Sequence, residues 1–372
     1  MVFLCGQAMA GRERKYTPRV RSRRPLGEAR TSNSPPSHDL PAPIQMDEGW
    51  YLPAPLAQRL HGKSALGKVT KDGGIILTAA EVLFCHWYRH VPLPAGQEAW
   101  FEHCVREDSG IALRVIAMDV LRNGGERVVP VVHLKERFPS LSSSTWAIRW
   151  ERHEVWSKHP GYSQIRLHHT NDHLDWSELL QWVDGVHQAG HVAELCVVDN
   201  EFDATIYHLQ RTHPQGTQPL FSELSENEQQ ALKEQSLGAV ELNDGYFIAN
   251  ADEWPLPSVG VEHFSGRFLR KEEHTYLTGQ SSSEIEHLYA QLSNAGLLLR
   301  PGFKYGCRWR VYERGIEVEH APWLVQPVQE APTNWEEVCL AVRLAEGVHK
   351  RWLCALQQGD DAYSYLNIKR IG

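Results

Sequence analysis

The chain has 372 residues, of which 42% are hydrophobic and 23% are charged. This length predicts two or three domains, and this composition excludes a chain that is disordered throughout. Its apolar runs are far shorter than the roughly 18 residues that a membrane-spanning helix needs. The seven cysteines form no C-x-x-C pair. We therefore expect reduced thiols, a cytoplasmic protein without membrane contact, and no structural zinc.

Residues 1–44 differ from the rest of the chain in charge. Residues 1–40 carry eight Lys or Arg and three Asp or Glu, a balance of +5 within a net charge of −8. The stretch is rich in Pro, Ser and Arg and has no periodic apolar pattern, so we expect a disordered basic tail. Such a tail can contact nucleic acid through the phosphates. An unstructured extension ahead of Met46 is an equally good interpretation.

From residue 45 onward the sequence repeats itself. Four segments recur in the same order, the first three at offsets of 171, 162 and 159 positions. The pairs are VLRNGGERVVP (120–130) with QLSNAGLLLRP (291–301), AIRWER (147–152) with WRVYER (309–314), LDWSELLQWV (174–183) with TNWEEVCLAV (333–342), and CVVDNEFDATIY (196–207) with CALQQGDDAYSY (354–365). Such repetition indicates two copies of one unit. We predict a first unit at 45–212, a polar connection at 213–237 and a second unit at 238–372.

Capping patterns and apolar periodicity predict the elements within each unit. Three Ser or Thr residues, each followed three positions later by Glu, predict helix starts. They are Thr78 with Glu81, Ser283 with Glu286, and Thr333 with Glu336. Alternating residues at 307–312 and 362–368 predict strands. The predicted fold class is α/β of the mixed α+β type. In each unit an N-terminal αβ subdomain, helices first, precedes a mixed, mainly antiparallel sheet with helices.

The second unit carries a distinctive series of residues after 299. The series is Gly302, Phe303, Lys304, Tyr305 and Gly306, then Arg310, Val311 and Tyr312, then His320, and finally Val348, His349 and Lys350. It resembles the catalytic C-terminal domain of the tRNA-splicing endonucleases, which implies a catalytic subdomain at about 299–372. With its doubled units, the chain resembles most the archaeal tRNA-intron endonuclease in which two units are fused. It departs from that family at Ala321, where serine is usual, and at His349, where arginine is common.

The resemblance implies an enzyme, namely a metal-independent tRNA-intron lyase without a cofactor. Such an enzyme cuts precursor tRNA at both exon–intron junctions, in a bulge–helix–bulge, by attack of a ribose 2′-OH on the adjacent phosphate. The products carry 2′,3′-cyclic phosphate and 5′-OH ends. This chemistry needs a base, an acid and a cation, which the resemblance assigns to Tyr312, His320 and Lys350. Taken singly, each has an ordinary alternative, as a core aromatic, a surface histidine or a helix-terminal cation.

The first unit lacks the matching set. Trp150 falls at the position of Tyr312 and has no ionisable hydroxyl, and His191 falls opposite Lys350. His159 is the nearest candidate for the acid. We therefore expect the first unit to be catalytically degenerate and each chain to hold one active site. Two cuts then require a homodimer, the commonest closed assembly.

The resemblance also implies residues that bind RNA and residues that assemble the enzyme. Family members hold a bulged base between two arginines. Arg343 matches one and Arg370 the other, with Lys369 as an alternative in the tail, and Asp184 falls opposite Arg343 in the first unit. An acidic loop of family members docks into a basic pocket of another unit, although acidic residues are also common in ordinary turns. The candidates are Asp360 and Asp361 in the second unit and Asp199, Glu201 and Asp203 in the first.

Two other functions remain open from the sequence. A catalytically silent subunit would bind tRNA within a larger splicing complex, and a less specific RNase would use the same three side chains. The presence of Tyr312, His320 and Lys350 together disfavours the silent subunit. A cluster of histidines at 168, 169 and 173 lacks the cysteines and the helical spacing of a metal site, so we expect no metal.

Overall fold

The structure is a computed structural model, and it describes residues 31, 33–251, 253–359 and 362–371. Most of the predicted basic tail lies outside the described residues, as do Asp360 and Asp361 of the predicted acidic loop. The described chain forms one sheet of ten strands, two sheets of four strands and nine α-helices. No helix in these ranges is long and apolar enough to cross a lipid bilayer.

The described chain starts with a small antiparallel sheet and four helices. The strands, arranged as β1-β2-β4-β3, are β1 (Ile44–Met46), β2 (Gly49–Leu52), β3 (Lys68–Val69) and β4 (Ile75–Leu77). The helices are α1 (Leu56–Ser64), α2 (Ala79–Arg89), α3 (Gln97–Glu107) and α4 (Ile111–Leu121). Glu81, fully buried at the start of α2, accepts hydrogen bonds from the backbone N–H of Gly67 (2.9 Å) and of Thr78 (2.8 Å). This carboxylate ties the helix to the sheet.

Five strands of the large sheet follow. They are β5 (Arg127–Pro130), β6 (Ala147–Trp150), β7 (Ser163–His169), β8 (Val192–Val198) and β9 (Ala204–Thr212). Helix α5 (Trp176–Gln188) connects β7 to β8, which pair in parallel, whereas the other neighbours pair antiparallel. A parallel pair needs such a crossover, because a tight hairpin can join only antiparallel strands.

After helix α6 (Glu226–Leu237) the second half of the chain follows a similar order. Its small sheet, arranged as β10-β11-β13-β12, contains β10 (Val240–Leu242), β11 (Gly245–Ala249), β12 (Val261–His263) and β13 (Gly266–Leu269). The remaining elements are α7 (Lys271–Thr278), α8 (Glu284–Asn294), β14 (Leu298–Pro301), β15 (Trp309–Tyr312), β16 (Trp323–Pro327), α9 (Trp335–Gly347), β17 (Arg351–Gln358) and β18 (Ala362–Ile371). Glu273, buried in α7, accepts from the backbone N–H of Gly260 (3.1 Å) and of Arg270 (2.8 Å), as Glu81 does in the first half.

The two halves meet in the middle of the large sheet. Its strand order is β14-β15-β16-β17-β18-β9-β8-β7-β6-β5, with β9 and β18 antiparallel at the centre. Leu209 pairs with Ile368, 159 positions later, and the same offset separates Trp176 from Trp335. The pairing of β9 with β18 is therefore symmetric about Leu209 and Ile368.

Helices α5 and α9 both contribute side chains to one apolar cluster at this junction. Trp176 donates from its Nε1 to the carbonyl of Pro332 (2.8 Å), and its ring centre lies 5.8 Å from that of Trp352. Trp335 is fully buried in the same apolar cluster. Burying a large apolar side chain contributes roughly 1.5–3 kcal/mol, so this shared core joins the halves.

The structure confirms two predicted helix starts and corrects the third. Thr78 and Ser283 cap α2 and α8 as capping boxes. The predicted cap Thr333 is wrong, because α9 begins after Asn334, whose side chain accepts from the N–H three residues on (3.0 Å). The carbonyl of Thr333 instead accepts from the N–H of Leu174 (2.8 Å). Asparagine caps at least as well as threonine, so a cap at Asn334 agrees with the capping preferences.

The prediction that each unit starts with helices is incomplete, because a small sheet precedes most of them. Its strands have two to five residues, too few for a clear alternation. Residues 213–237, predicted as a polar connection, include α6, whose Leu232 is buried beside Ile248 and Leu269. This part of the connection therefore shares the core of the second small sheet.

Candidate active site

The segment 302–306 forms the turn that leads into strand β15. Phe303–Tyr305 make one turn of 3-10 helix, which ends at Gly306 with a φ of 66°. At Gly302 a Cβ atom would lie 2.5 Å from the Sγ of Cys307, so a side chain has no room. These two glycines fix where the strand begins.

Tyr312 is the last residue of β15, and only 5% of it is exposed. It packs with Leu298 and Ala321. Arg310 precedes Tyr312 by two residues and therefore projects from the same face of the strand. Its guanidinium carbon lies 5.9 Å from the centre of the Tyr312 ring. A fixed positive charge thus lies beside the phenol.

Lys350 lies between α9 and β17 and is buried. Its backbone N–H donates to the carbonyl of Ala345 (2.9 Å) and its Nζ to the carbonyl of Ala321 (2.8 Å). The same Nζ lies 5.5 Å from the centre of the Tyr305 ring. Burial lowers the pKa of Lys350, and the positive charge of Arg310 lowers it further.

His320 lies on the loop between β15 and β16, and its side chain is exposed. The carboxylate of Glu319 accepts from the backbone N–H of Glu313 (2.9 Å) and of Arg314 (2.7 Å). The carboxylate of Glu313 in turn accepts from the Nε1 of Trp323 (2.8 Å). These contacts fix the loop while leaving the imidazole open to solvent.

The three predicted catalytic residues come together around Ala321. Tyr312 packs against it, His320 precedes it, and Lys350 binds its carbonyl. The phenol of Tyr312 and the ammonium group of Lys350 thus lie at the same end of β15 and β17, and His320 is next to Ala321 in the chain. Such a set can accept a proton, donate a proton and stabilise negative charge on a phosphate.

Sequence reasoning placed Arg310 and Tyr305 in the series that resembles the family but gave neither a role, and it did not single out Glu319. Arg310 had a usable signal, because it alternates with Tyr312 along one strand. The contact of Tyr305 with Lys350 depends on the packing of separate elements, and no local pattern indicates it. Glu319 is one of several acidic residues in its loop, so its role follows only from the hydrogen bonds.

Arg343 and Arg370, the predicted base-binding pair, line one cavity of about 440 Å³. Arg343 lies on the exposed face of α9, and the backbone N–H of Arg370 donates to the carboxylate of Glu346 (2.9 Å). Lys369 is not among the lining residues, so Arg370 is the one that joins Arg343. The opposite side of the cavity is acidic. It carries Asp199, Glu201 and Asp203 of the hairpin between β8 and β9.

The first half has different side chains at these positions. Trp150, at the position of Tyr312, is buried and donates from its Nε1 to the carbonyl of His159 (2.8 Å). Ser163 pairs with Val192 in the first half, and Trp323 pairs with Arg351 in the second. Aligning these two pairs places Pro160 at the position of His320. The predicted match of His159 is therefore one position off, because the preceding loops differ in length.

The pair of arginines is also absent from the corresponding positions in the first half. Asp184 lies where Arg343 does and Arg211 where Arg370 does, each 159 positions earlier. The Nε of Arg211 lies 2.5 Å from the Oδ1 of Asp184. An ion pair with no net charge thus replaces two cations.

The histidines of the first half do not form a metal site. His191 immediately precedes β8, as Lys350 immediately precedes β17. Burial lowers the pKa of His191, although the carbonyl of Pro160 opposes this effect. The ring of His168 packs 5.2 Å from that of Trp335. Across the described ranges, no group of three or more His, Cys, Asp or Glu side chains is placed to hold a metal ion.

Comparison with known proteins finds a matching protein family for part of the second half. Residues 284–365 match the family model described as tRNA intron endonuclease, catalytic C-terminal domain. The tRNA-splicing endonuclease of Picrophilus torridus is 27% identical over 175 residues, 47% of this chain and 54% of its own length. That of Thermoplasma volcanium is 32% identical over 158 residues, 42% and 48% respectively. That of Methanosarcina mazei is 25% identical over 353 residues, 81% and 90% respectively. The chain thus spans about half the length of the first two relatives and most of the third.

The matched stretch contains Tyr312, His320 and Lys350 and most of the second half of the large sheet. Residues 284–365 are therefore similar to the catalytic domain of the tRNA-splicing endonucleases. The resemblance seen in the sequence is confirmed. The long match to the Methanosarcina protein is consistent with the longer, two-unit form.

Proposed function

We propose that the chain is a tRNA-intron endonuclease that cuts precursor tRNA at both exon–intron junctions of a bulge–helix–bulge. Tyr312 is the general base, His320 the general acid and Lys350 the group that stabilises the transition state. The products carry 2′,3′-cyclic phosphate and 5′-OH ends. The observation that supports this most strongly is the convergence of the three groups on Ala321 within the family's catalytic domain.

In the proposed reaction one proton leaves the attacking 2′ oxygen and one reaches the departing 5′ oxygen. Tyr312 takes the first as O2′ bonds to phosphorus, and His320 supplies the second as the P–O5′ bond breaks. The guanidinium carbon of Arg310 lies 5.9 Å from the centre of the Tyr312 ring, so a positive charge is present beside the phenol. Lys350 also meets the charge that builds on the phosphate oxygens. Its Nζ is already held by a carbonyl, so little reorganisation is needed.

We infer that the chain contains two copies of one endonuclease unit, at 45–212 and 238–372. Three observations favour this interpretation: the similar order of elements, the symmetric pairing of β9 with β18, and the buried glutamates at 81 and 273. Only the second copy is catalytic in this proposal, because Trp150 has no hydroxyl. One active site per chain then requires a homodimer to make two cuts.

Two further parts of the proposal concern contacts with RNA and with a second chain. Arg343 and Arg370 hold a bulged base by stacking their guanidinium groups on it; their shared cavity supports this role. An acidic loop docks into a basic pocket of the partner chain. The candidate loops contain Asp199, Glu201 and Asp203, or Asp360 and Asp361.

The test is to incubate the purified chain with an intron-containing precursor tRNA in EDTA and to analyse the ends of the fragments. We expect cleavage at both junctions, with cyclic phosphate and 5′-OH ends. The control RNA has its bulges replaced by base pairs and should stay intact. A need for Mg²⁺, or 5′-phosphate ends, would contradict the mechanism. Binding without cleavage would indicate a silent subunit, and equal cleavage of both RNAs a less specific RNase.

A further inference from the structure

Arg310, in strand β15, is a half-buried cation without an acidic partner. Within the described part of the chain it forms no ion pair with a carboxylate, and its side chain donates no hydrogen bond. Three other arginines of the second half are paired, so the lack of a partner is not a general property of this region. Their partners are Glu330 for Arg308 (2.8 Å), Glu319 for Arg314 (3.2 Å) and Glu273 for Arg300 (3.6 Å).

The strand directs Arg310 towards the proposed catalytic residues. Trp309 and Val311 are fully buried on one face of β15, so Arg310 and Tyr312 project from the other face. The guanidinium carbon lies 5.9 Å from the centre of the Tyr312 ring. Burial lowers the pKa of Lys350 most, and the charge of Arg310 lowers it further, so the two cations are close enough to repel each other. Arg310 therefore lies beside both the phenol and the ammonium group.

The end of this guanidinium group is open to a ligand. The Nε of Arg310 is closed to solvent, whereas its two terminal nitrogens are not closed and have no hydrogen-bond partner among the described residues. Arginine presents its N–H groups in a planar fork that matches two oxygens of a phosphate group. Two neighbouring cations, of which one lacks a partner, repel each other, and an anion between them removes this repulsion. The site therefore favours an anionic ligand.

The first half indicates that the fold does not need an arginine at this position. Ile148 stands there, 162 positions earlier, and is fully buried. The strand pairing corresponds as well, because Ile148 pairs with Val129 as Arg310 pairs with Arg300. An apolar side chain thus suits this place in the sheet, and burying a charge instead is costly. Packing alone does not explain the cation, so we look for its reason in a ligand.

We propose that Arg310 is a further catalytic residue, which binds the phosphate group at the cleavage site together with Lys350. Its terminal N–H groups donate to the non-bridging oxygens, and these bonds strengthen as negative charge builds there. Arg310 keeps its own protons, while Tyr312 takes the proton of the 2′-OH and His320 supplies one to the 5′ oxygen. Because O2′ bonds to the phosphorus, the phosphate lies next to the phenol and hence next to this guanidinium group. The inference rests on the proposed function and adds a second cation to its site.

Arg310→Ala tests this inference, and Arg308→Ala is the matched control. The two arginines alternate along one face of the chain, but Arg308 already has Glu330 as its partner. Single-turnover cleavage by the full-length chain is measured against the concentration of precursor tRNA. We expect Arg310→Ala to lower the rate at saturation by about 10²-fold, the usual scale for losing an electrostatic group, and to leave the half-saturating RNA concentration nearly unchanged. Arg308→Ala should change neither.

Added guanidinium chloride separates a catalytic role from a structural one. In Arg310→Ala a free guanidinium ion can occupy the space of the lost side chain, so it should raise the rate in a saturable manner. The ion is added at millimolar concentrations, far below the molar range that unfolds proteins. An equal concentration of sodium chloride should not raise the rate, and neither salt should raise that of Arg308→Ala. Arg310→Lys keeps the charge without the planar fork and should recover part of the rate.

Equal rates of Arg310→Ala and Arg308→Ala would overturn the inference. So would a slow Arg310→Ala variant with a normal half-saturating RNA concentration whose loss neither guanidinium nor Arg310→Lys recovers, because the arginine would then act through the fold. If Arg310→Ala does not fold, Arg310→Ile takes its place, since the first half accepts isoleucine there, and a wild-type rate in it would also overturn the inference. A wild-type chain that cuts no precursor tRNA would defeat the proposed function and the inference with it. Wild-type cleavage together with any of the other results would defeat the inference alone.

Discussion

The two halves of the large sheet have matching strands and matching crossover helices, but different side chains at the positions of the proposed catalytic residues. Trp176 and Trp335 occupy matching places in one shared core, and Glu81 and Glu273 tie a helix to a small sheet in the same way. The side chains at the proposed catalytic positions of the second half differ from those at the matching positions of the first half. A scaffold of this kind can therefore keep its packing while its chemistry changes at a few positions.

Two of the differences near the proposed active site are of one kind. Where the second half has Arg310 and Tyr312, the first half has Ile148 and Trp150, both fully buried. Groups that can titrate or carry charge are replaced there by groups that pack. The comparison predicts that substitutions in the second half change activity, whereas their counterparts in the first half change binding or stability.

The largest expected effect is on the rate of cleavage. His320→Ala and Lys350→Ala should each slow single-turnover cleavage at saturating RNA by about 10²-fold or more, the usual scale for losing a general acid or an electrostatic group. His159→Ala, in the matching loop of the first half, is the control. It should leave this rate unchanged. If His159 proved essential instead, the assignment of the catalytic half would be reversed.

The resemblance to the family proposed Tyr312, His320 and Lys350 as catalytic residues, and their roles stay a prediction. It placed Tyr312 at the end of a strand and Lys350 after a helix, as the structure has them. It could not find Tyr305 beside Lys350, because that contact joins elements brought together only by folding. The cap of α9 was predicted at Thr333, whereas the structure has it at Asn334, which also has a Glu three residues later.

The next effect concerns assembly. Changing both Asp360 and Asp361 to lysine should weaken the dimer by about a hundredfold or more, because the partner's cations would be left unpaired in a partly buried interface. Analytical ultracentrifugation of the wild type and the variant measures this. The corresponding change in the first half, at Glu201 and Asp203, shows which hairpin docks. A wild-type monomer that cuts both junctions would contradict the dimer, and two unaffected variants would contradict the loops.

A smaller effect is expected on RNA affinity, where the two arginines of the second half should differ from the ion pair of the first half. Arg343→Ala should raise the half-saturating concentration of precursor tRNA by about tenfold, the scale of one stacked base, with little change in the rate at saturation. Asp184→Ala removes the counterpart and should leave RNA affinity unchanged. Equal effects of the two variants would mean that the cavity between Arg343 and Arg370 does not receive a base.

The buried glutamates give the last difference between the halves, which is one of pH. Glu81 faces His133, whose Nε2 lies 2.7 Å from its Oε2, whereas Glu273 faces Arg270 and Arg300. Burial is the largest single effect on His133 and lowers its pKa, but the charge and hydrogen bond of Glu81 together outweigh it and raise the pKa. Arg270 and Arg300 stay charged in mild alkali. Of the two buried glutamates, only Glu81 should therefore lose the charge of its partner, His133, as the pH rises.

The direction of the expected change in stability with pH follows from the raised pKa of His133. Protonated His133 stabilises the folded chain fully below its ordinary value of about 6.5, and this contribution is lost as the pH rises through the raised value. His133→Gln should therefore lower the free energy of unfolding by about 1 kcal/mol at pH 6, the scale of one hydrogen bond, and by clearly less at pH 9. Urea unfolding at both pH values measures it. Arg300→Gln is the control and should cost the same at both pH values, because its partner Glu273 and the arginine stay charged. An equal loss at pH 6 and pH 9 in His133→Gln would mean that the histidine acts by packing alone.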